Sequence, residues 1–338
     1  MLGWLLGIAV AAALLIAAWP QTFGLEQAPI VAQVVSLRMG VVGIAAVLAV
    51  LFLLLSAARR IRRFAGAIVV LLIVFMVASA GIHLSRGVDD SVAVDAVEGP
   101  AEGDVVVLTW NTLGDEPGAE TIAQVVQETH ADVVMLPETT IQMGTEVAVL
   151  LGAQGNPFFA LTTDFANADY GALNTTLLVS TSMGTYTAQP SVDVGQTNTL
   201  PTVVATPDDG DGPILVATHP VAPIPQQMRN WRSDLEFVAS LCRQGQSIIV
   251  GGDFNSTLDH WSSLGVGTGD IGTCVDAAGA AGSGAVGTWP TWAPAWLGAQ
   301  IDHVVASPDW RAVDAQVLEG YDDAGTDHRP VVAVLRQR

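Results

Sequence analysis

The chain has 338 residues and not one lysine. Its 13 basic side chains are all arginine and stand against 33 acidic residues, a formal net charge of −20 at pH 7. Proteins that grip long nucleic acid do so by neutralising phosphates with Lys and Arg. This surface repels a polyanion, so long duplex DNA is disfavoured as a partner. Cysteine is nearly missing too. Cys242 and Cys274 belong to no Cys-x-x-Cys or Cys/His cluster, which argues against a zinc site. No period of about 20–50 residues recurs, which excludes a solenoid.

Charge is scarcest at the beginning. Residues 1–83 contain a single acidic residue, Glu26, and three uncharged apolar runs: Leu2–Trp19, Met39–Ala57 and Ala65–Ile82. Each is close to the ~20 residues that a helix needs to cross a hydrocarbon core. The first run lacks the basic start and small-residue cleavage site of a signal peptide. Three transmembrane helices within residues 1–84 are therefore expected, making this a multi-pass membrane protein with the lipid bilayer as a partner. Arg59-Arg60-Ile61-Arg62-Arg63, between the second and third runs, marks that loop as cytoplasmic. The third helix then delivers everything after it to the extracytoplasmic side. Ser85–Gly103 is acidic, contains Gly and Pro, and lacks sustained periodicity, so residues 85–103 read as a flexible tether.

Residues 104–338 read as a folded domain. Apolar strands are expected at Asp104–Trp110, Asp132–Leu136, Phe158–Leu161, Thr175–Val179, Thr202–Ala205, Pro213–Thr218, Ser247–Val250, Ile301–Ala306 and Pro330–Leu335. Helical spacing runs through Gly118–His130 and through Met228, Trp231, Leu235, Val238 and Leu241. Many strands with few helices between them point to an α/β sandwich rather than a purely parallel sheet. Cys242 closes the second helix and Cys274 lies 32 residues on, where the chain returns toward the same side. In an oxidising compartment they can form a disulfide; two separate buried thiols are the alternative.

Unusual polar residues gather at strand ends, where a rigid sheet aims side chains into a shared cleft. Asn111 closes the first strand, Glu138 follows the second in Leu-Pro-Glu, and His219 follows Pro213–Thr218. Asp253 and Asn255 stand in Gly-Gly-Asp-Phe-Asn, Asp302 opens Ile-Asp-His, and Asp327-His328 precedes the last strand. One such Asp is usually a turn or cap residue. The ordered set is far more specific.

With these motifs, Gly-Asp-Phe-Asn, Ile-Asp-His and Asp-His-Arg-Pro above all, the chain resembles the endonuclease/exonuclease/phosphatase superfamily over about 235 residues from Asp104. The resemblance implies a four-layer α/β sandwich with two mixed β-sheets. It also implies hydrolysis of a phosphate ester (in a lipid, nucleotide or nucleic acid) with Mg²⁺ or Mn²⁺, whose preference is for hard oxygen ligands. It makes Glu138 the principal metal ligand, with Asn111 and Asp327 beside it. Asp253 would orient or deprotonate the attacking water and Asn255 would hold phosphate oxygens. His328 would stabilise the scissile phosphate with its ring held by Asp302, and His219 would be the general acid. His303 reads as a neighbour rather than a participant. The pattern departs from the family after Asn111, where Thr112-Leu113 lacks the acidic residue that some nucleases carry two positions on. Tyr170 and Asn174 are near, without a secure alignment, the middle-strand residues that contact phosphate.

Two further expectations remain open. Thr288–Trp296 carries three uncharged tryptophans, which either pack on the domain or meet a membrane interface. The alternative to an enzyme is a non-catalytic, membrane-tethered binding or sensor protein on the same scaffold.

Overall fold

The computed structural model describes residues 2–88, 101, 103–165, 170–267 and 269–338. The apolar beginning forms α1 (Leu2–Ala18), α2 (Val31–Ser36), α3 (Arg38–Leu55) and α4 (Arg62–Ser85). Among the described residues, α3 and α4 are long and apolar enough to cross a membrane; α1, at 17 residues, is a shorter apolar helix at the lower end of the spanning range. All three share one apolar seam that includes Ala18, Ala45, Ala49, Ile68, Leu72 and Phe75. Most of the expected tether, residues 89–100 and 102, lies outside the described residues. Its beginning is docked: α4 runs to Ser85, and the carbonyls of Arg86 and Gly87 accept from the backbone N–H groups of Gly284 and Ala285 at 3.0 and 2.9 Å.

From Asp104 onward the order is β1 (Asp104–Thr109), α5 (Gly118–Glu128), β2 (Val133–Pro137), α6 (Ile141–Ala153), β3 (Phe158–Leu161), β4 (Thr175–Ser180), β5 (Tyr186–Ala188), α7 (Ser191–Val194) and β6 (Val203–Pro207). Then come β7 (Ile214–Thr218), α8 (Met228–Cys242), β8 (Ile248–Asp253), β9 (Val275–Asp276), α9 (Ala277–Ala281), β10 (Asp302–Ala306), β11 (Trp310–Val317) and β12 (Val331–Gln337). Two six-stranded sheets result, ordered β11-β12-β1-β2-β4-β3 and β5-β6-β7-β8-β10-β9. Each is mixed: β1 pairs parallel with β2 across α5, and β7 with β8 across α8, while neighbouring pairs are antiparallel.

The sheets face each other through Val105, Val107, Val133, Met135, Leu215, Ala217, Ile249 and Val304. Gly251 makes the approach possible, since a Cβ there would stand 2.6 Å from the Met135 sulfur. On the outer face of the first sheet lies α5, with Ile122, Val125 and Val126 inward. On the second lies α8, whose buried Met228, Trp231, Leu235, Val238 and Leu241 are the stripe read from the sequence. Cys242 and Cys274 meet in that outer core, with sulfurs 2.07 Å apart and Cα atoms 5.5 Å apart.

The sequence pattern did not reveal α6, β5, β9 or β11. Helix α6 is apolar nearly all round, which blurs a helical period, although Thr140 caps it by accepting from the Met143 N–H. In β11 a bulge between Ala312 and Asp314 interrupts the alternation of buried and exposed residues.

Nor did it reveal that the stretch between α1 and α3 is built into the domain. Ala32 of α2 sits in the outer core under α8, its carbonyl 3.1 Å from His260 Nε2. Gln27 donates to the His260 carbonyl at 2.9 Å, and Arg232 donates to that of Gln27 at 3.0 Å. At the centre lies the Asp259 carboxylate, 2% exposed, taking hydrogen bonds from Arg38 (2.8 Å), Gln21 (2.8 Å) and Arg86 (2.7 and 3.0 Å). Burial opposes that charge, but the two guanidinium groups outweigh it and hold the carboxyl well below its ordinary value.

Removing one member of a buried pair strands the other, at a cost of about 3–5 kcal/mol. Asp259→Ala is therefore expected to lower the unfolding midpoint of the detergent-solubilised chain clearly, read by thermal scanning at pH 7. Because the folded carboxyl titrates below an unfolded value near ~4, its contribution is complete above that pH and fades as pH falls below it. The gap between wild type and variant should shrink in the same direction; an equal midpoint at pH 7 would refute the arrangement.

Candidate active site

The eight polar residues singled out by the sequence converge at one end of the two sheets. Asn111 follows β1 and Glu138 follows β2, while Asp253 ends β8, Asp302 opens β10 and His328 comes just before β12. Backbone conformation turns two of them. Glu138 and Asn255 lie at φ 55° and 47°, a left-handed region that non-glycine residues seldom occupy, and such strain clusters at functional sites. Just before Asp253, Gly252 could carry no side chain, because a Cβ would fall 1.9 Å from the Thr218 carbonyl oxygen. Its neighbour β7 thus approaches closely enough to place His219 beside Asp253.

Asp253 is the hub. Its Oδ2 accepts from Asn111 Nδ2 at 3.1 Å and Asn255 Nδ2 at 3.3 Å, and lies 3.5 Å from His219 Nε2 and 3.8 Å from His328 Nε2. Its Oδ1 accepts from the Asn255 N–H at 2.8 Å. Asn111 Nδ2 also donates to Glu138 Oε1 at 3.0 Å, and His219 Nε2 stands 3.9 Å from that oxygen. Behind His328, Asp302 Oδ2 meets Nδ1 at 2.8 Å; in front, Asp327 Oδ1 lies 3.8 Å from Nε2.

Electrostatics follow from this packing. Burial by itself would lower the His328 pKa, but Asp302 and Asp253, with Asp327 behind them, outweigh it and raise it to about 10. The imidazolium, with His219, in turn overcomes the effect of burial on Asp253 and holds that carboxyl below its ordinary value. Asp253, Asp302 and His328 offer ligand atoms within 4.8 Å of one another. A histidine that is protonated at Nε2 and bonded through Nδ1 to a carboxylate has no lone pair for a cation, however. The hard oxygens left for a divalent cation are the carboxylates of Glu138 and Asp327; Asn111 faces Glu138 with Nδ2, and its Oδ1 accepts from the Leu113 N–H at 2.9 Å. Asp327 Oδ1 is buried without a hydrogen-bond partner, its nearest positive group being the His328 ring at 3.8 Å, which leaves it a lone pair for a cation.

Several contributing residues were not legible in the sequence. Trp289 donates from its indole N–H to Asp327 Oδ2 at 2.8 Å, and Thr326 Oγ1 donates to the Asn111 carbonyl at 2.8 Å. Asp234, fully buried in α8, accepts from the backbone N–H groups of Asn198 (2.7 Å) and Val221 (3.2 Å), fixing the turn that carries His219. His303 makes a second buried pair, with Asp276 at 2.8 Å, and its Nε2 lies 2.9 Å from the Ser256 carbonyl. It supports the loop after Asp253 from behind and does not enter the cleft cluster. Tyr170 is exposed, and Asn174 is buried, its amide donating to the Tyr170 carbonyl at 2.6 Å.

The same architecture occurs in proteins of known structure. A humanised TDP2 from D. rerio superposes with a TM-score of 0.54 at 16% identity, covering 70% of this chain and all of that one. An endonuclease/exonuclease/phosphatase from Bacteroides vulgatus gives 0.53 at 16% identity, covering 70% of this chain and 99% of that one. At these identities the likeness concerns the fold alone. No curated protein matches the sequence. The profile described as the Endonuclease/Exonuclease/phosphatase family matches residues 108–328, from the end of β1 through His328, and so takes in every clustered residue. This chain belongs to the endonuclease/exonuclease/phosphatase family, whose members are metal-dependent phosphoesterases and nucleases.

Proposed function

We propose that residues 104–338 form an extracytoplasmic catalytic domain that hydrolyses a phosphate ester with Mg²⁺ or Mn²⁺, on a membrane crossed by α1, α3 and α4. One observation carries the reading: Asn111, Glu138, His219, Asp253, Asn255, Asp302, Asp327 and His328, scattered over 218 positions, meet around a single buried carboxylate. A non-catalytic binder has no need of that convergence.

Glu138 and Asp327 would hold the cation, joined by Asn111 once its amide turns Oδ1 from the Leu113 N–H toward them, and the cation would supply charge relief to the phosphate oxygens. Asp253, kept ionised, accepts a hydrogen bond from the attacking water and orients it toward phosphorus. Protonated His328 donates to a non-bridging oxygen, its ring fixed by Asp302. The water oxygen bonds to phosphorus as the ester P–O bond breaks, and the leaving oxygen takes a proton from His219. The water's proton passes to solvent, and His219 regains its own from there. Asn255 would seat a phosphate oxygen by turning to it the amide hydrogen now given to Asp253, while the other, bonded to the Pro220 carbonyl at 3.0 Å, ties the Asp253 loop to the His219 loop.

The membrane part of the reading rests on the placement of charge. The Arg59–Arg63 cluster is exposed at the turn between α3 and α4. Arg38 and Arg86, at the other ends of those helices, are the residues that grip the domain through Asp259. A cytoplasmic arginine turn thus puts the domain outside. The paired Cys242 and Cys274 suit an oxidising compartment there.

Hydrolysis of a generic phosphodiester by the full chain is expected to stop on chelation and to return with Mg²⁺ or Mn²⁺. Glu138→Ala and His328→Ala should each lower turnover by roughly 10²–10³ or more, the usual loss when one preorganised group is removed. Near-wild-type rates for both variants would overturn the site. A reporter fused after Arg338 should be active in an extracytoplasmic assay and silent in a cytoplasmic one; the reverse pattern would invert the topology.

A further inference from the structure

Among the described residues, the loops that hydrogen-bond to the helical part lie at the catalytic end of the second sheet. Pro223, whose carbonyl accepts from Gln33 of α2, lies in the loop that begins at His219. Asp259, His260 and Ser262, which meet Arg38, Arg86, Gln27 and Glu26, follow Asp253 and Asn255 directly. Gly284 and Ala285, which meet the end of α4, precede Asp302. The opposite end of the sandwich, where Asp104 pairs with Arg336, makes none of these contacts. The cleft therefore opens at the level of the helix ends.

One loop spans the distance between cleft and helices. Residues 284–301 carry no charge. Trp289 holds Asp327 at the cleft wall, and the turn Ala295–Leu297 lies beside α3. Between these anchors Trp292 is 83% exposed, and within the turn itself Trp296 is 59% exposed. The loop is not loose. Arg329, fully buried and adjacent to His328, donates to the carbonyls of Gly287 (3.1 Å), Thr291 (3.2 Å) and Ala293 (2.8 Å). A buried cation has been used to fix a loop that then presents two tryptophans to the outside. In the loop that begins at His219, Ile224 is 51% exposed next to the Pro223 that Gln33 holds. Exposed aromatic side chains at the level where apolar helices end are the signature of contact with the headgroup region of a bilayer.

From this arrangement we infer that the substrate is a phosphate ester carried by a lipid of the same membrane, which enters the cleft from the bilayer surface beside Trp292 and Trp296. The inference rests on the hydrolase reading above and adds the substrate class to it. The reaction is the same displacement: water adds to phosphorus, the P–O bond to the leaving oxygen breaks, and that oxygen is protonated. The acidic, lysine-free surface, which suits no long polyanion in solution, is no obstacle to a headgroup delivered one molecule at a time by lateral diffusion. Fixed beside the bilayer, the site meets lipid at a high effective concentration without any further affinity.

The test uses the full chain in proteoliposomes of phosphatidylethanolamine and phosphatidylglycerol carrying phosphatidylinositol and phosphatidic acid, with Mg²⁺ and Mn²⁺. Lipid products are followed by thin-layer chromatography, and bis(p-nitrophenyl) phosphate is the soluble ester. Wild type should hydrolyse at least one of these lipids. The double variant Trp292→Ser, Trp296→Ser should lose at least about tenfold of that rate yet stay within about twofold of wild type on the soluble ester, since it alters only interfacial contact. A variant that loses both activities equally, or neither, overturns the inference. So does a wild type that cleaves the soluble ester, or a short oligonucleotide, and no lipid in the vesicle. Failure on every ester with both metals would instead refute the hydrolase reading itself, and the substrate assignment with it.

Discussion

Asp253 is a carboxylate taken out of water at the end of a central strand, and its charge has to be met from within the protein. The two sheets meet that demand jointly. Asn111 comes from the first sheet, while His219 and Asn255 come from loops of the second; His328 enters from the turn before β12. Satisfying the one charge therefore sets the distance between sheets at the catalytic end. It also raises the His328 pKa, because the same carboxylate, together with Asp302, stabilises the imidazolium. Stability and chemistry use the same contacts here, and an Asn at position 253 would disturb both.

The same demand recurs a few residues on. Asp259 is buried as deeply, but its counter-charges come from Arg38 and Arg86 at the ends of α3 and α4. Two buried aspartates in one loop thus face opposite ways, one into the cleft and one into the helical part. The intervening Asn255–Leu258 stretch is braced by Trp261, whose indole donates to Ser256 Oγ at 2.8 Å, and by His303 against the Ser256 carbonyl. The orientation of the cleft relative to the helices follows from this short loop rather than from a hinge.

Much of this was readable one strand at a time. The β-branched runs that became β1, β2, β7, β8, β10 and β12 are buried on both faces of their sheets, so continuous apolar composition identified them without a clear period. Amphipathic α8 stood out because one face meets a sheet and the other meets solvent. Edge elements were harder to see. β5 and β9 have only three and two residues, and β11 carries a bulge, so none repeats a pattern long enough to be recognised. The first apolar run was read as a span like the other two, but its helix stops at Ala18, one turn before the docked Gln21, because the chain leaves there to reach Asp259.

What the sequence determined by itself was local in origin: apolar runs, their punctuation, and polar motifs at fixed offsets from strand ends, including Asp253 and the seven residues gathered around it. Tertiary structure decided what depends on two distant segments arriving at one place. That Trp289 would hold Asp327, that Arg329 would brace a loop with Trp292 and Trp296 outward, and that Gln21, Arg38 and Arg86 would share Asp259 are pairings across 38, 36 and up to 238 positions. No spacing rule encodes them. Each exists because a buried polar group must find a partner, and only the folded chain determines which partner is within reach.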